Sequence, residues 1–208
     1  MPAKADPERQ AEFLRDDLRP RLAEAQRGKR TVLFVDAAHF VFGPFLGYVW
    51  AAIRLFVPAP SGRQRYNVLG ALDAVTHELT RVVNCTVINA DAVCQLLRQI
   101  AAAAIGPVTV VLDNAKYQRC AVVQALAREL RVELLYLPPY SPNLNLIERL
   151  WRFVKKECLA TRWRADFANF RAAIDGCLNE LPTTHREAMK SLLTLEFQTF
   201  EDVPVLAA

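Results

Sequence analysis

The chain has 208 residues, 52% of them hydrophobic and 23% charged, with a formal net charge of +4 and a pI near 8.9. That balance fits an ordinary soluble domain with a real core, and its mild basicity permits a polyanionic partner without demanding one. No window approaches the ~20 apolar residues of a membrane span. The charged opening MPAKADPERQAEFLRDD lacks the apolar core of a signal peptide, so a cytoplasmic location and no membrane partner are expected. The five cysteines are odd in number and include no CxxC pair, which fits reduced thiols packed in a core.

Residues 7–27 carry Phe13, Leu14, Leu18 and Leu22 on a helical period with charges between them, predicting an amphipathic helix that packs on the body or on a partner. TVLFVDAAHF follows, an apolar run ending in Asp36, with the profile of a buried strand that carries a carboxylate at its C-terminal end. GYVWAAIRLFV is strand-like, and PAPSGRQRYN after it has the Pro, Gly and Arg content of a polar loop. The stretch from Asn67 to Ile88 predicts two strands folded back around Thr76-His77-Glu78. A helix over 89–104 is stopped by Gly106-Pro107. PVTVVLDNA is a second buried strand ending in an aspartate, Asp113, followed by a helix over 116–130 and the strand VELLYL.

The passage LPPYSPNLNLIERLW comes next. Pro138, Pro139 and Pro142 hold it extended, and Asn143 and Asn145 are suited to cap the helix that starts beyond them. That helix runs over 146–159, leads through the basic aromatic link ATRWRADF to a helix over 167–181, and leaves a weakly patterned tail. The order of elements predicts an α/β fold with a mixed central sheet flanked by helices.

Reacting groups in such sheets gather at the carboxyl ends of strands, where Asp36 and Asp113 are expected. On neighbouring parallel strands the two would lie roughly 5 Å apart. Like charges that close are costly without a cation between them, and hard oxygen donors of this kind suit Mg²⁺. Glu148 is the candidate third carboxylate. With Ile147 as origin, Leu150, Trp151, Val154 and Cys158 form the buried stripe of the helix, and Glu148 lies about 100° round, at its edge. The alternative for Glu148 is an exposed i,i+4 pair with Arg152. A strand-terminal Asp is, by itself, often only a turn residue. Lys116, Arg63 and Arg65, and the Arg162-Trp163-Arg164 link offer charge and aromatic surface to a phosphate backbone, the alternative being a solvated face. His39 could approach the carboxylates or be a satisfied, half-buried histidine.

VLFVDAAHF, VVLDNAKYQ and LPPYSPNLNLIERLWRFVKK, in that order, resemble the catalytic domain of DDE transposases, and among them the bacterial insertion-sequence 630 family related to the mariner elements. The proline passage resembles that family's LPPYSPxLNPIE segment, and 34 residues separate Asp113 from Glu148, the mariner-type interval. The resemblance spans residues 30–162. It implies a ribonuclease-H-like fold with Asp36, Asp113 and Glu148 as catalytic residues that hold two Mg²⁺, with Mn²⁺ as a substitute. It also implies transposon-end and target DNA as partners, with Arg63, Arg65, Lys116, Arg152, Lys155, Arg162 and Arg164 as candidate DNA contacts. The sequence departs from the family pattern at Ala37, where many relatives have Glu, at Leu146 for Pro, and at Gln118 for His.

On this reading residues 1–29 are a helical extension, 30–181 the catalytic domain and 182–208 a tail. Relatives carry helix-turn-helix modules before the catalytic domain. This chain has about 30 residues there, so a homodimer, or a partner chain supplying those modules, is expected. A ribonuclease-H-like nuclease and a non-catalytic, DNA-binding remnant of a transposase are the other readings.

Overall fold

The structure is a computed structural model; it describes residues 5–43, 64–160 and 164–200. The strand-like stretch GYVWAAIRLFV, most of the polar loop after it, and Arg63, Arg162 and Trp163 lie outside the described residues.

A helical run opens the chain. Asp6 accepts from the Arg9 N–H and Pro7 occupies the first position of α1 (Pro7–Glu12), where a missing N–H costs nothing. α1 passes through a π-helical segment, Phe13–Leu18, into α2 (Arg19–Gln26). The cause stands at Pro20, which cannot donate to the preceding turn; the ladder widens just before it, with the Arg19 N–H on the Leu14 carbonyl. Phe13, Leu14, Leu18 and Leu22 are all buried in the main core, so this run packs on the body of the protein.

Five strands form one sheet among the described residues, in the order β3-β2-β1-β4-β5. β1 (Thr31–Val41) pairs antiparallel with β2 (Arg65–Asp73), which pairs antiparallel with β3 (Leu79–Asn84). On its other side β1 runs parallel to β4 (Val108–Leu112), which runs parallel to β5 (Val132–Tyr136). The sheet is mixed, as the sequence predicts. β2 and β3 form the expected hairpin, with His77 at φ +61 in its turn.

Alternation along the strands divides the core in two. Val32, Phe34, Ala38 and Phe40 of β1, with Tyr66, Val68 and Leu72 of β2 and Val111 of β4, face the N-terminal helices, α5 (Ile147–Val154), α6 (Phe167–Asn179) and α7 (Arg186–Leu192). Leu33 and Val35, with Leu69 and Ala71, face α3 (Ala90–Ala103) and α4 (Ala121–Glu129). Asp36 and Asp113 fall in register on the first of these faces, the one that α5 covers.

Four expectations need correction. β1 does not end at Asp36: its pairing with β4 stops at Val35, but pairing with β2 carries it on to Val41. The same pairing draws Arg65, Tyr66 and Asn67 out of the expected loop and into β2. The helix after Asp113 starts at Ala121 rather than near Lys116, because residues 115–120 form turns and Cys120 is extended. The weakly patterned tail contains α7, whose Met189 is buried together with the following Leu193, while Leu195 and Phe197 pack against the same core. Among the described residues no helix is long and apolar enough to cross a membrane.

Candidate functional site

The site lies where β4 parts from β1. Val35 and Leu112 form the last rung of that parallel ladder, so Asp36 and Asp113 are the next residues along neighbouring strands. Asp113 is exposed and accepts the Asn114 N–H at 2.6 Å, while Asp36 is half-buried. The third carboxylate arrives on α5. Its stripe is fully packed, with Ile147, Leu150 and Val154 at 0% exposure and Trp151 at 2%. Glu148 is half-buried at the edge of that stripe. The alternative ion pair with Arg152 does not form.

Asp36, Asp113 and Glu148 line one crevice of about 430 Å³, together with Asn145 and the proline passage. Among the described residues no three His, Cys, Asp or Glu side chains close around a metal as they stand.

Several bonds fix the approach to α5. The Leu137 N–H donates to the Leu112 carbonyl at 2.8 Å, and the Asn114 side-chain amide donates to the Leu137 carbonyl at 2.5 Å, so the passage leaves β5 pinned to the end of β4. Tyr140 stands at φ +58, a conformation a bulky residue adopts only when its surroundings impose it. The buried Gln10 of α1 donates to the Tyr140 carbonyl and accepts from the Asn143 side chain at 3.0 Å, and Asn143 also donates to the Gln198 carbonyl. The N-terminal helix and the C-terminal segment thus grip the passage from both sides.

The expected caps do not form. Neither the single turn Pro142–Leu144 nor α5 has a side-chain cap. Asn143 is engaged as above, and Asn145, 4% exposed, turns its amide to the Val35 carbonyl at 3.5 Å. The backbone carbonyl of Asn145 accepts the Glu148 N–H at 3.2 Å. Asn145 therefore ties the strand just before Asp36 to the first turn that carries Glu148. Its Oδ1 is buried with no partner. So is the Nε1 of Trp151, and each such group costs about 1–3 kcal/mol when left unmade.

Electrostatically the crevice is strained. Burial pushes the Asp36 carboxyl up to about 7; the charge of Glu148 adds to this and that of Asp113 adds less, while the Ala37 N–H and the Trp151 indole N–H, the latter near Asp36 but short of a formed hydrogen bond, draw it back toward its charged form. Tyr117 is raised by burial and then by both aspartates.

The candidate nucleic-acid contacts do not gather at one place. Lys116 is exposed in the turn after Asp113. Arg152 is exposed on α5 and Lys155 is exposed at the start of the π-helical segment Lys155–Leu159 that continues it, and Arg152 shares a hollow of about 390 Å³ with Glu148, Arg149 and Gln198. Arg65 lies opposite Val41, five rungs beyond the Asp36–Gly70 pair and on the other face of the sheet. Arg164 is half-buried and donates to the Cys158 carbonyl at 3.0 Å, lining a hollow bounded by α6. His39, also on the face away from Asp36, meets the Asn67 side chain at 2.7 Å, the satisfied alternative.

Gly70 and Arg149 carry no sequence signal of their own. Gly70 is the cross-strand partner of Asp36, and a Cβ there would meet the Trp151 ring at 2.9 Å. Arg149 donates to the carbonyls of Leu192, Thr194 and Glu196, clamping the C-terminal segment beside α5. Both roles depend on partners distant in sequence.

No curated protein matches the sequence. The fold is similar to that of the Mos1 strand transfer complex, with a TM-score of 0.59 and 16% identity over 95% of this chain and 65% of that one. It is similar to the catalytic domain of Mos1 mariner transposase, with a TM-score of 0.56 and 15% identity over 95% of this chain and all of that one. The same domain solved with Raltegravir and Mg gives a TM-score of 0.55 and 15% identity over 93% of this chain. This chain therefore spans just under two thirds of the transposase chain in the strand transfer complex. At such identities the likeness is one of fold, the ribonuclease-H-like arrangement. A sequence model of the DDE superfamily endonucleases matches residues 31–171, from the first residue of β1 into α6, and the chain belongs to that superfamily.

Proposed function

We propose that this chain is the catalytic domain of a transposase of the bacterial insertion-sequence 630 family, and that Asp36, Asp113 and Glu148 are its catalytic, cation-holding residues. The observation that carries the reading is the convergence of three carboxylates, from segments 35 to 112 positions apart in sequence, on one crevice. The donor set suits Mg²⁺, with Mn²⁺ as a substitute. All three are hard carboxylate oxygens, and a small cation that keeps several waters needs only one or two of them directly, so an open arrangement fits it. Two such cations would supply activation of the attacking oxygen and stabilisation of the leaving one.

The protein's own contribution is placement. Asp36 and Asp113 are set by strand register, while Glu148 is set by a packed helix and a stiff approach. The half-buried Asp36 keeps water from screening the site on one side. Asp113, exposed, faces the side from which a phosphodiester would enter. Arg152 on α5 and Lys155 just past its end continue from Glu148 along the exposed side of the helical run, where they would follow a phosphate backbone; Lys116 flanks Asp113. Arg63, Arg65, Arg162 and Arg164 complete the proposed DNA contacts; of these Arg65 lies on the other face of the sheet and Arg164 beside α6. The reaction is DNA cleavage, then transfer of a freed 3′-OH to target DNA. In this proposal residues 1–29 brace the catalytic domain of 30–181, residues 182–208 follow it with α7 packed on the same core, and the chain acts as a homodimer or with a partner chain that carries helix-turn-helix modules. The protein works in the cytoplasm.

The test is nicking and strand transfer on a short duplex with a free 3′-OH and a plasmid target, in Mn²⁺. Cation-dependent product from the wild-type chain and none from Asp113→Asn is expected. Product from Asp113→Asn equal to wild type would contradict the proposal.

A further inference from the structure

Trp151 is the largest fully buried side chain among the described residues, and its packing explains a glycine. Asp36 and Gly70 are direct partners across β1 and β2, so their Cα atoms lie about 4.5–5.5 Å apart and side chains there share a face. On that face a Cβ at Gly70 would meet Cζ2 and Cη2 of Trp151, both at 2.9 Å, and Cδ1 of Ile147 at 3.0 Å. Residue 70 has no side chain because the indole lies in its place. The ring is also held edge-on by Phe40, with centroids 6.4 Å apart and planes at 84°.

The ring edge against Gly70 runs directly into the nitrogen, since Cζ2 is bonded to the carbon that carries Nε1. This donor therefore lies in the neighbourhood of Asp36, two per cent exposed as a residue and with no hydrogen-bond partner. A buried N–H without an acceptor is rare, and bonds at catalytic sites are often long until the reacting partners are in place.

We propose that Trp151 is a positioning residue for Asp36: its indole N–H donates to one oxygen of the Asp36 carboxylate, fixes the rotamer, and leaves the other oxygen to the crevice, with Gly70 as the seat of the ring. This rests on the reading of Asp36 as a cation-holding residue. Outer partners of this kind orient metal-binding carboxylates, and their loss typically costs 10–100-fold in metal affinity or activity.

The full chain labelled with ¹⁵N has three indole N–H signals, from Trp50, Trp151 and Trp163, and Trp50→Phe and Trp163→Phe assign the third by elimination. On addition of Mg²⁺ the Trp151 signal moves downfield, and in Asp36→Asn it does not. In calorimetry Trp151→Phe, which keeps an aromatic ring at the position and loses the donor, binds Mn²⁺ about 10-fold more weakly than wild type. Should Trp151→Phe not fold, the comparison of wild type with Asp36→Asn decides alone. Wild-type Mn²⁺ binding with an unmoved Trp151 signal, or undiminished affinity in Trp151→Phe, overturns the positioning role and leaves the proposed function standing. A wild-type chain that binds neither cation overturns both.

Discussion

The two ends of the same parallel strands handle charge in opposite ways. At the N-terminal end of β1, β4 and β5, Glu133 accepts from Arg21 at 2.5 Å, from Arg30 at 2.8 Å and from the Thr109 hydroxyl at 2.6 Å, while Arg30 also reaches Glu24 at 2.7 Å. Glu133, Arg21, Arg30 and Glu24 are each paired with an opposite charge there, and the Arg21 hydrogen bond, with Thr109 and Arg30 behind it, holds the Glu133 carboxyl down at about 2. At the C-terminal end three carboxylates share a crevice that no cationic side chain among the described residues lines, and Asp36 is pushed up to about 7. The first end ties the N-terminal helices to the sheet. The second weakens the fold locally, as expected of a site shaped for a ligand of opposite charge.

The largest effect expected from breaking this contrast is on activity. Asp36→Asn, Asp113→Asn or Glu148→Gln should each lower DNA cleavage by at least about 10³-fold, the scale of a lost transition-state stabiliser, with circular dichroism unchanged. Stability should respond in the opposite direction. The folded-state pKa of Asp36 lies above its ordinary 3.8, so the stability its neutral form contributes is complete below about pH 3.8 and is lost as pH rises to about 7. The loss is at most about 4 kcal/mol, and smaller where water screens the open crevice. Asp36→Asn should therefore raise the melting temperature at pH 8 and flatten its decline between pH 4 and 7. A melting curve for Asp36→Asn that falls as steeply as wild type over that range would contradict the strained site.

Gly70→Ala should cost about 1–3 kcal/mol in chemical denaturation, because the Trp151 ring must move from a 2.9 Å approach. The smallest effect is at the satisfied end. The folded-state pKa of Glu133 lies below its ordinary 4.5, so its contribution is complete above about pH 4.5 and is lost as pH falls toward 2. With its side chain 37% exposed, screening reduces that contribution to roughly 1 kcal/mol. Glu133→Gln should show that loss at pH 7 and a shallower acid transition. A wild-type-like acid transition in Glu133→Gln would show that the network does not tie the helices down.

The contrast also marks where the sequence is readable. Asp36, Asp113 and Glu148 can be picked out because local signals flank each: a β-branched apolar run before the aspartates, three prolines before the glutamate, a 3.6-residue stripe around it. The hairpin and the buried face of α5 are legible for the same reason. What is not legible depends on partners far along the chain. β1 continues past Asp36 only because β2 pairs with it there. Asn145 looks like a cap until the Val35 carbonyl, 110 positions away, takes its amide. Gln10 gives no sign that it will hold Tyr140 and Asn143, and Gly70 reads as a break in a strand until Trp151 fills the space. Periodicity tells which face a residue takes; it does not tell which residue it meets there.

The most direct test of the account is an anomalous difference map from crystals of this chain soaked in millimolar Mn²⁺. The account predicts a peak between Asp36 and Asp113, within reach of Glu148. A map with manganese elsewhere, or with none while the three carboxylates stand as described, would contradict it.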